Sequence, residues 1–306
     1  MKIVGVGQCS LDYLTLVDSF PENDTKSEVL LWDEQGGGPV ATALVALARL
    51  EAECAFHGVV GDDPEGDKIR QSLIDAGVEA GGIIGRGNCS SQKAFIVIEK
   101  GSGKRTIFWK RPSGRELEPD ELGGDFLIGA DFLLLDGLMQ KASLHAVRTA
   151  SEMNVPVMLD AGSLREGMLD IARLCDYVVA SEEFANGLGY DGDAVKFRGI
   201  IQNLGFRTTT VTLGEKGSIT FRQSEIIVLP AYGVEVVDTT GAGDVFHGGY
   251  VYGILKGWDI GTVVRFASAM AAMKCRMIGG RAGIPDLHGV TLFLKERGFD
   301  LPADRP

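Results

Sequence analysis

Nowhere does this chain run to about 18 consecutive apolar residues, so no membrane-spanning helix is expected. No charged leader with a short apolar core precedes Lys2-Ile3-Val4-Gly5-Val6-Gly7, which is strand-like from the outset, and a reducing, cytoplasmic setting is the expectation. Cysteine is sparse and unpaired. Cys9, Cys54, Cys89, Cys175 and Cys275 form an odd set without any C-x-x-C spacing. That excludes a disulfide framework and a cysteine zinc site, and leaves each as a small core residue. Positive charge is also short, with 30 Lys and Arg against 42 Asp and Glu and a net charge of −12. Such a surface does not suit nucleic acid or an anionic membrane, although a local cradle can still take a small anion. Repeats, low-complexity tracts and linkers are missing as well.

Glycine, in contrast, is abundant. The chain has 42 glycines, about twice the usual share, which implies many tight turns and close backbone approaches. The stretch that organises the rest is Val236-Val237-Asp238-Thr239-Thr240-Gly241-Ala242-Gly243-Asp244-Val245-Phe246. An apolar lead-in ends at Asp238, a turn of small residues follows, and Asp244 opens an apolar-periodic run to about Leu255. A helix N-terminus offers unpaired N–H groups and partial positive charge, so Gly241, Ala242 and Gly243 can cradle an anion. A carboxylate beside such a cradle repels the anion unless it has a task, and taking a proton from an attacking hydroxyl is one. Gly-Ala-Gly-Asp alone reads equally well as an ordinary turn with an Asp cap. The longer string is more specific.

Before this motif the chain alternates strand and helix. Gly5-Val6-Gly7 invites a dinucleotide reading, which fails because Ser10 stands where a third glycine belongs and no helical period follows. Residues 11–18 and 28–33 look extended, with a turn at Pro21 to Asp24. This excursion has little to build a core of its own and suits a flap over a cleft. Pro39 follows Gly36-Gly37-Gly38 and starts a helical pattern through Ala41, Leu44, Val45 and Leu47. Residues 91–99 and 104–110 form a hairpin pattern that can join the flap as one small sheet. Short apolar runs at 131–135, 155–159, 176–180 and 208–213, separated by helix-compatible segments, imply a parallel sheet with helices on both faces. Strands near 218–222 and 226–229 and helices near 243–256, 259–277 and 289–297 complete the chain. His57 and His247 read as packing residues, and Lys216 as solvated.

The string Asp238-Thr239-Thr240-Gly241-Ala242-Gly243-Asp244 resembles the D-T-x-G-A-G-D signature of the PfkB/ribokinase family of sugar and nucleoside kinases. Two further blocks extend the resemblance over the whole chain: Gly36-Gly37-Gly38-Pro39-Val40-Ala41-Thr42-Ala43 and Gly279-Gly280-Arg281-Ala282-Gly283-Ile284-Pro285. The resemblance implies a ribokinase-like three-layer α/β/α sandwich, mostly parallel, as a single domain over residues 1–306, with a small β-sheet lid from segments about 10–35 and 89–111. It implies Asp244 as the base on the acceptor hydroxyl and Gly241, Ala242 and Gly243 as the anion hole. Asp12, Gly36, Gly37 and Gly38 fall at the sugar, with Asp24 as a second acidic group. Thr212, Gly214, Gly217, Thr240, Gly243 and Gly279 fall near ATP. Asp238 and Thr240, with the loop from Gly279 to Gly283, match a monovalent-cation site for K+. Asp160 and Glu183 are candidates to reach Mg2+ through water.

The departures are informative. Gly38 and Ala41 stand where many relatives carry Asn, and Ser181-Glu182-Glu183-Phe184 replaces an N-x-x-E element associated with magnesium and phosphate. The three blocks, with Lys274-Cys275, are closest to the sulfofructose kinase branch and more loosely to ketohexokinase. Lys26 matches a sulfonate-holding lysine of that branch, whereas Trp109 and Leu138 fall near the other two sulfonate positions. Lys26, Arg105, Lys110 and Arg111 all lie on the expected lid. They fit an anionic sugar, or simply strand edges protected by charge. The expectation is an ATP-dependent kinase of a ketose-like or modified sugar, with lid-to-lid homodimers. Trp109 and Phe108 keep a nucleoside kinase open, and the altered Ser181–Phe184 element keeps open a sugar-sensing regulator.

Overall fold

The computed structural model describes residues 1–303. In chain order the strands are β1 (Lys2–Val6), β2 (Ser10–Val17), β3 (Leu31–Gly37), β4 (Glu53–Gly61), β5 (Val78–Arg86), β6 (Lys93–Glu99), β7 (Arg105–Lys110), β8 (Phe132–Leu135), β9 (Val157–Ala161), β10 (Tyr177–Ser181), β11 (Thr208–Thr212), β12 (Ser218–Arg222) and β13 (Glu225–Leu229). The helices are α1 (Pro39–Arg49), α2 (Pro64–Asp75), α3 (Gln140–Glu152), α4 (Met168–Ala172), α5 (Glu182–Gly187), α6 (Ala194–Leu204), α7 (Ala242–Leu255), α8 (Ile260–Lys274) and α9 (Leu287–Lys295).

One sheet has nine strands in the order β13-β12-β11-β10-β9-β8-β1-β4-β5. Every pairing from β5 to β11 is parallel, and β12 and β13 are added antiparallel. Its central strands are apolar on both faces because helices cover both. Successive residues alternate between the two cores: Ile3 packs with α1, α7, α8 and α9, whereas Val4 and Val6 pack with α3 to α6. From β1 the chain moves out to β4 and β5, then returns at β8 on the other side of β1. The reversal leaves a crevice at the carboxyl ends of β1 and β8, the usual place for a ligand in such sheets.

The second sheet runs β3-β2-β6-β7. Its register sets Asp12 opposite Gln35 and Ala94, and Ala94 opposite Trp109, so these share one face. Leu14, Ala94, Ile96 and Ile98 bury that face, packed against Ile278 of the large unit.

Two local expectations change. Extended structure was expected at 28–33, but β3 begins at Leu31 and includes Gly36 and Gly37. The glycine cluster is thus mostly strand, and only Gly38, at φ 98°, turns the chain into α1. At Gly37 a Cβ would overlap the Asp12 carboxylate, which explains a glycine in a strand. Strand β5 was not anticipated, because Gly81, Gly82 and Gly85 interrupt its pattern; it exists through parallel pairing to β4. His57 does pack, edge-on to Phe126.

Candidate active site

Helix α7 begins without a side-chain cap, and Gly241 holds the N-cap position in the left-handed region at φ 72°. Any Cβ there would lie 2.8 Å from Cα of Gly280, so the turn and the loop after α8 meet backbone to backbone. Asp238 is fully buried and joins them. Its Oδ1 accepts the Thr240 N–H at 2.8 Å and the Thr240 hydroxyl at 2.7 Å, and its Oδ2 accepts the Gly279 N–H at 2.7 Å. The N–H of Ala242 bonds back to Thr239, but among the described residues those of Gly243 and Asp244 find no acceptor. They remain the open donors of the helix end.

Asp244 stands in the first turn of α7. Removal from water pushes its pKa up to about 7, the charges of Asp160 and Asp12 add to the rise, and His247 and Arg105 oppose it. His247 packs as expected, buried and edge-on to Phe246, and it also faces these carboxylates. One helical turn beyond Asp244, its Nδ1 lies 3.2 Å from Asp160 Oδ2, without the alignment of a hydrogen bond. Burial disfavours a charged imidazole, yet Asp160 and Asp244 outweigh it and raise the His247 pKa. Asp160, Asp244 and His247 bring one ligand atom each within 4.8 Å of one another. A histidine one turn past the carboxylate was the available signal in the sequence.

Asp12 faces the same region from β2. Its Oδ1 accepts the Ser10 hydroxyl at 2.8 Å; burial raises its pKa, and Ser10 and Arg281 moderate the rise. Arg281, singled out in the sequence only as part of a motif, becomes a central residue. Its guanidinium donates to Ser72 Oγ at 3.1 Å and to the Gly37 carbonyl at 3.2 Å. Those acceptors are neutral. Loss of water holds its pKa down to about 10, while Asp12, Cys9 and Asp244 pull the other way. Asp136, at the β1/β8 crevice, also went unnoticed. Its carboxylate accepts the N–H groups of Gln8 at 2.7 Å and Leu138 at 3.0 Å, and burial pushes its pKa up to about 7.

The small sheet reaches this centre through its β6–β7 hairpin. A Cβ on Gly103 would lie 2.8 Å from the Val236 side chain, and Arg105 donates to the Thr239 hydroxyl. Arg105 thus reaches the turn that precedes α7. Trp109 is half-exposed on the inner face, with the Arg111 guanidinium over its ring. Asp24 and Lys26 lie exposed in the β2–β3 connection, and among the described residues neither has a polar partner.

The model of the pfkB family carbohydrate kinases matches residues 1–287. The chain belongs to the PfkB family of carbohydrate kinases. An ATP-dependent ribose-1-phosphate kinase from Halopiger xanaduensis is 27% identical over 98% of this chain and 100% of its own. A crystal structure of a putative ribokinase from Agrobacterium tumefaciens superposes with a TM-score of 0.88 at 24% identity, over 98% of this chain and 99% of that one. A putative ribokinase II from E. coli, in complex with ATP and Mg2+, superposes with a TM-score of 0.81 at 21% identity, covering 96% and 99%. Like other members, this kinase is an ATP-dependent phosphotransferase.

Thr212, expected near ATP, pairs with Ser181 at the ends of the neighbouring parallel strands β11 and β10. Ser181 caps α5 by accepting the Phe184 N–H at 3.0 Å and donates to the Gly162 carbonyl at 2.5 Å. Serine where relatives carry Asn is therefore a helix cap. Gly214 and Gly217 shape the turn from β11 to β12, at φ 59° and 96°. Lys216 is exposed but not alone, since it pairs with Glu182 at 3.2 Å. Glu183 is exposed. Among the described residues no helix is long and apolar enough to cross a membrane.

Proposed function

We propose that this kinase transfers the γ-phosphoryl group of ATP to a hydroxyl of a ketose-like or modified sugar that carries an anionic group, with Asp244 as general base. The observation behind the substrate class is Arg281. A guanidinium withdrawn from water beside Asp12, with only neutral acceptors among the described residues, retains charge for a ligand. It also donates toward Thr42, next to Ala41, where the family pattern has an amide. The relative named for ribose-1-phosphate supports an acidic acceptor.

In this reading the acceptor hydroxyl lies between Asp12 and Asp244, and Asp244 takes its proton. Gly241, Ala242 and Gly243, with the open N–H groups at the start of α7, receive the charge of the transferred group. Arg105 adds positive charge from above. Mg2+, bound together with ATP, would supply charge to neutralise phosphate oxygens. Asp160, the buried carboxylate beside Asp244, is the residue to hold it through water; Glu183, out in solvent, is second to it. The small sheet acts as a lid that excludes water. Exposed Trp32, Phe95 and Phe108 on its outer side favour pairing with a second copy. Five free cysteines, four of them buried, suit a reducing cytoplasm.

One observation favours a second reading. Half-exposed Trp109 on the inner face offers a stacking surface for a nucleoside base. Measuring ADP release against neutral ketoses, sugar acids, sugar phosphates and nucleosides separates the two. Preference for the acidic sugars supports the proposal. Preference for nucleosides replaces it, and no release with any acceptor removes the kinase reading for this chain.

A further inference from the structure

His247 is 7% exposed, and its Nδ1 has no hydrogen-bond partner among the described residues. A ring nitrogen withdrawn from water and left unpaired costs about 1–3 kcal/mol. This one faces two carboxylates. Asp160 Oδ2 stands 3.2 Å away, and an oxygen of Asp244 completes a set of three atoms within 4.8 Å of one another. Among the described residues no lysine or arginine forms an ion pair with either carboxylate. Two acidic groups and an unpartnered imidazole in one water-poor corner call for a cation.

The spacing fits a metal ion. Ligands held at about 2.0–2.1 Å by a tetrahedral zinc lie about 3.3 Å from one another, and Asp160 Oδ2 is 3.2 Å from His247 Nδ1. Asp244 and His247 stand three residues apart on α7, so the helix itself sets them side by side, and Asp160 comes to them from β9. Val179 in β10 offers the ring a backbone hydrogen bond, the usual support for an imidazole that ligates a metal through its other nitrogen. Three protein ligands leave one tetrahedral position for water. The donor set also selects the ion. Mg2+ prefers oxygen and keeps its waters, whereas imidazole with carboxylates suits Zn2+ and Co2+.

We infer that Asp160, Asp244 and His247 form a binding site for a transition-metal dication of the zinc type, and that the seated ion holds the enzyme inactive. A carboxylate oxygen bound to zinc has given its lone pair to the metal and no longer takes the proton of an acceptor hydroxyl. Zinc on Asp160 also displaces the water through which that residue would reach Mg2+. Binding needs only the three side chains, whereas the inhibition rests on the reading of Asp244 as general base.

The experiment therefore has an arm without turnover. The full chain, without a histidine tag and freed of metal, carries Cys89→Ser throughout, because that thiol is the partly exposed one. Zn2+ binding is measured by calorimetry and Co2+ binding by its visible absorption, with millimolar Mg2+ present. The chain with native Asp160 and His247 is expected to take one equivalent of either ion at micromolar concentration or below. His247→Asn and Asp160→Asn are expected to weaken that binding by about tenfold or more; circular dichroism checks that each folds, and either one suffices. In the second arm micromolar Zn2+ is expected to suppress ADP release several-fold, and to do so far less in His247→Asn, each compared with its own rate without zinc. Failure to bind either ion, or equal binding by the folded variants, overturns the site. Binding with no loss of turnover overturns the inhibition. Absence of ADP release from every acceptor defeats the kinase reading instead, and the calorimetry then decides the site.

Discussion

Asp244→Asn removes a charge at nearly constant volume, and its two effects should have opposite signs. In the proposed role of general base, Asp244 is worth a factor of about 10²–10⁴ in kcat. Its effect on stability follows from its pKa, which rises from 3.8 to about 7 on folding because the site takes it out of water beside Asp160. The folded chain therefore holds a proton that the unfolded chain has released over that window. Its stabilising contribution is complete below about pH 4 and is lost as the pH rises through about 7. A shift of that size corresponds to about 4 kcal/mol as a ceiling. Asp244 is only half-buried, which leaves part of its charge screened by solvent, so about 1–2 kcal/mol is the working figure. The Asn variant should be the more stable protein by that amount near pH 8, with the gap closing toward about pH 4. Urea unfolding followed by circular dichroism, without nucleotide, measures it, and ADP release measures the kinetic half. An Asn variant less stable than wild type near pH 8, or a gap that widens on acidification, refutes the burial argument. Near wild-type turnover refutes the base assignment.

Four other outcomes are expected. The wild-type kcat/KM should fall as pH drops through about 7, where Asp244 gains its proton. In His247→Asn, without the imidazole that lowers that pKa, the profile should move to higher pH; an unmoved profile means His247 only packs. Arg281→Met should raise KM for an acidic sugar by about 10-fold or more, the scale of a lost charged contact, and leave KM for ATP alone. Equal loss with a neutral ketose speaks against the anionic acceptor. Ser181→Ala should cost about 1 kcal/mol of stability as a lost helix cap; chemical denaturation with no shift in midpoint counts against that role.

Much of the architecture was legible because it is written in local pattern. Compact apolar runs such as Phe132–Leu135 and Tyr177–Ser181 can only be strands covered on both faces. Asp63-Pro64 has the composition of a helix start, and Asp63 caps α2 by accepting the Gly66 N–H. The Asp238–Asp244 string told of a helix end with a carboxylate on it. What local pattern could not carry was any element whose reason lies elsewhere in the chain. Glycine-broken β5 is a strand only through its pairing with β4, and Gly36 and Gly37 belong to β3 because β2 lies alongside.

The sequence by itself determined the layered fold, the phosphoryl-transfer motif and the family resemblance, since each depends on residues near in the chain or on periodicity. Only the tertiary structure decided what surrounds Asp244. It set Asp160 against His247, brought Arg281 under Gly37 beside Asp12, and buried Lys274 on the Asp238 carbonyl. The physical reason is common to all three. A charge acquires its partner, its pKa and its use from neighbours that are far off in sequence and come near only when the two sheets and the loop after α8 close on one point.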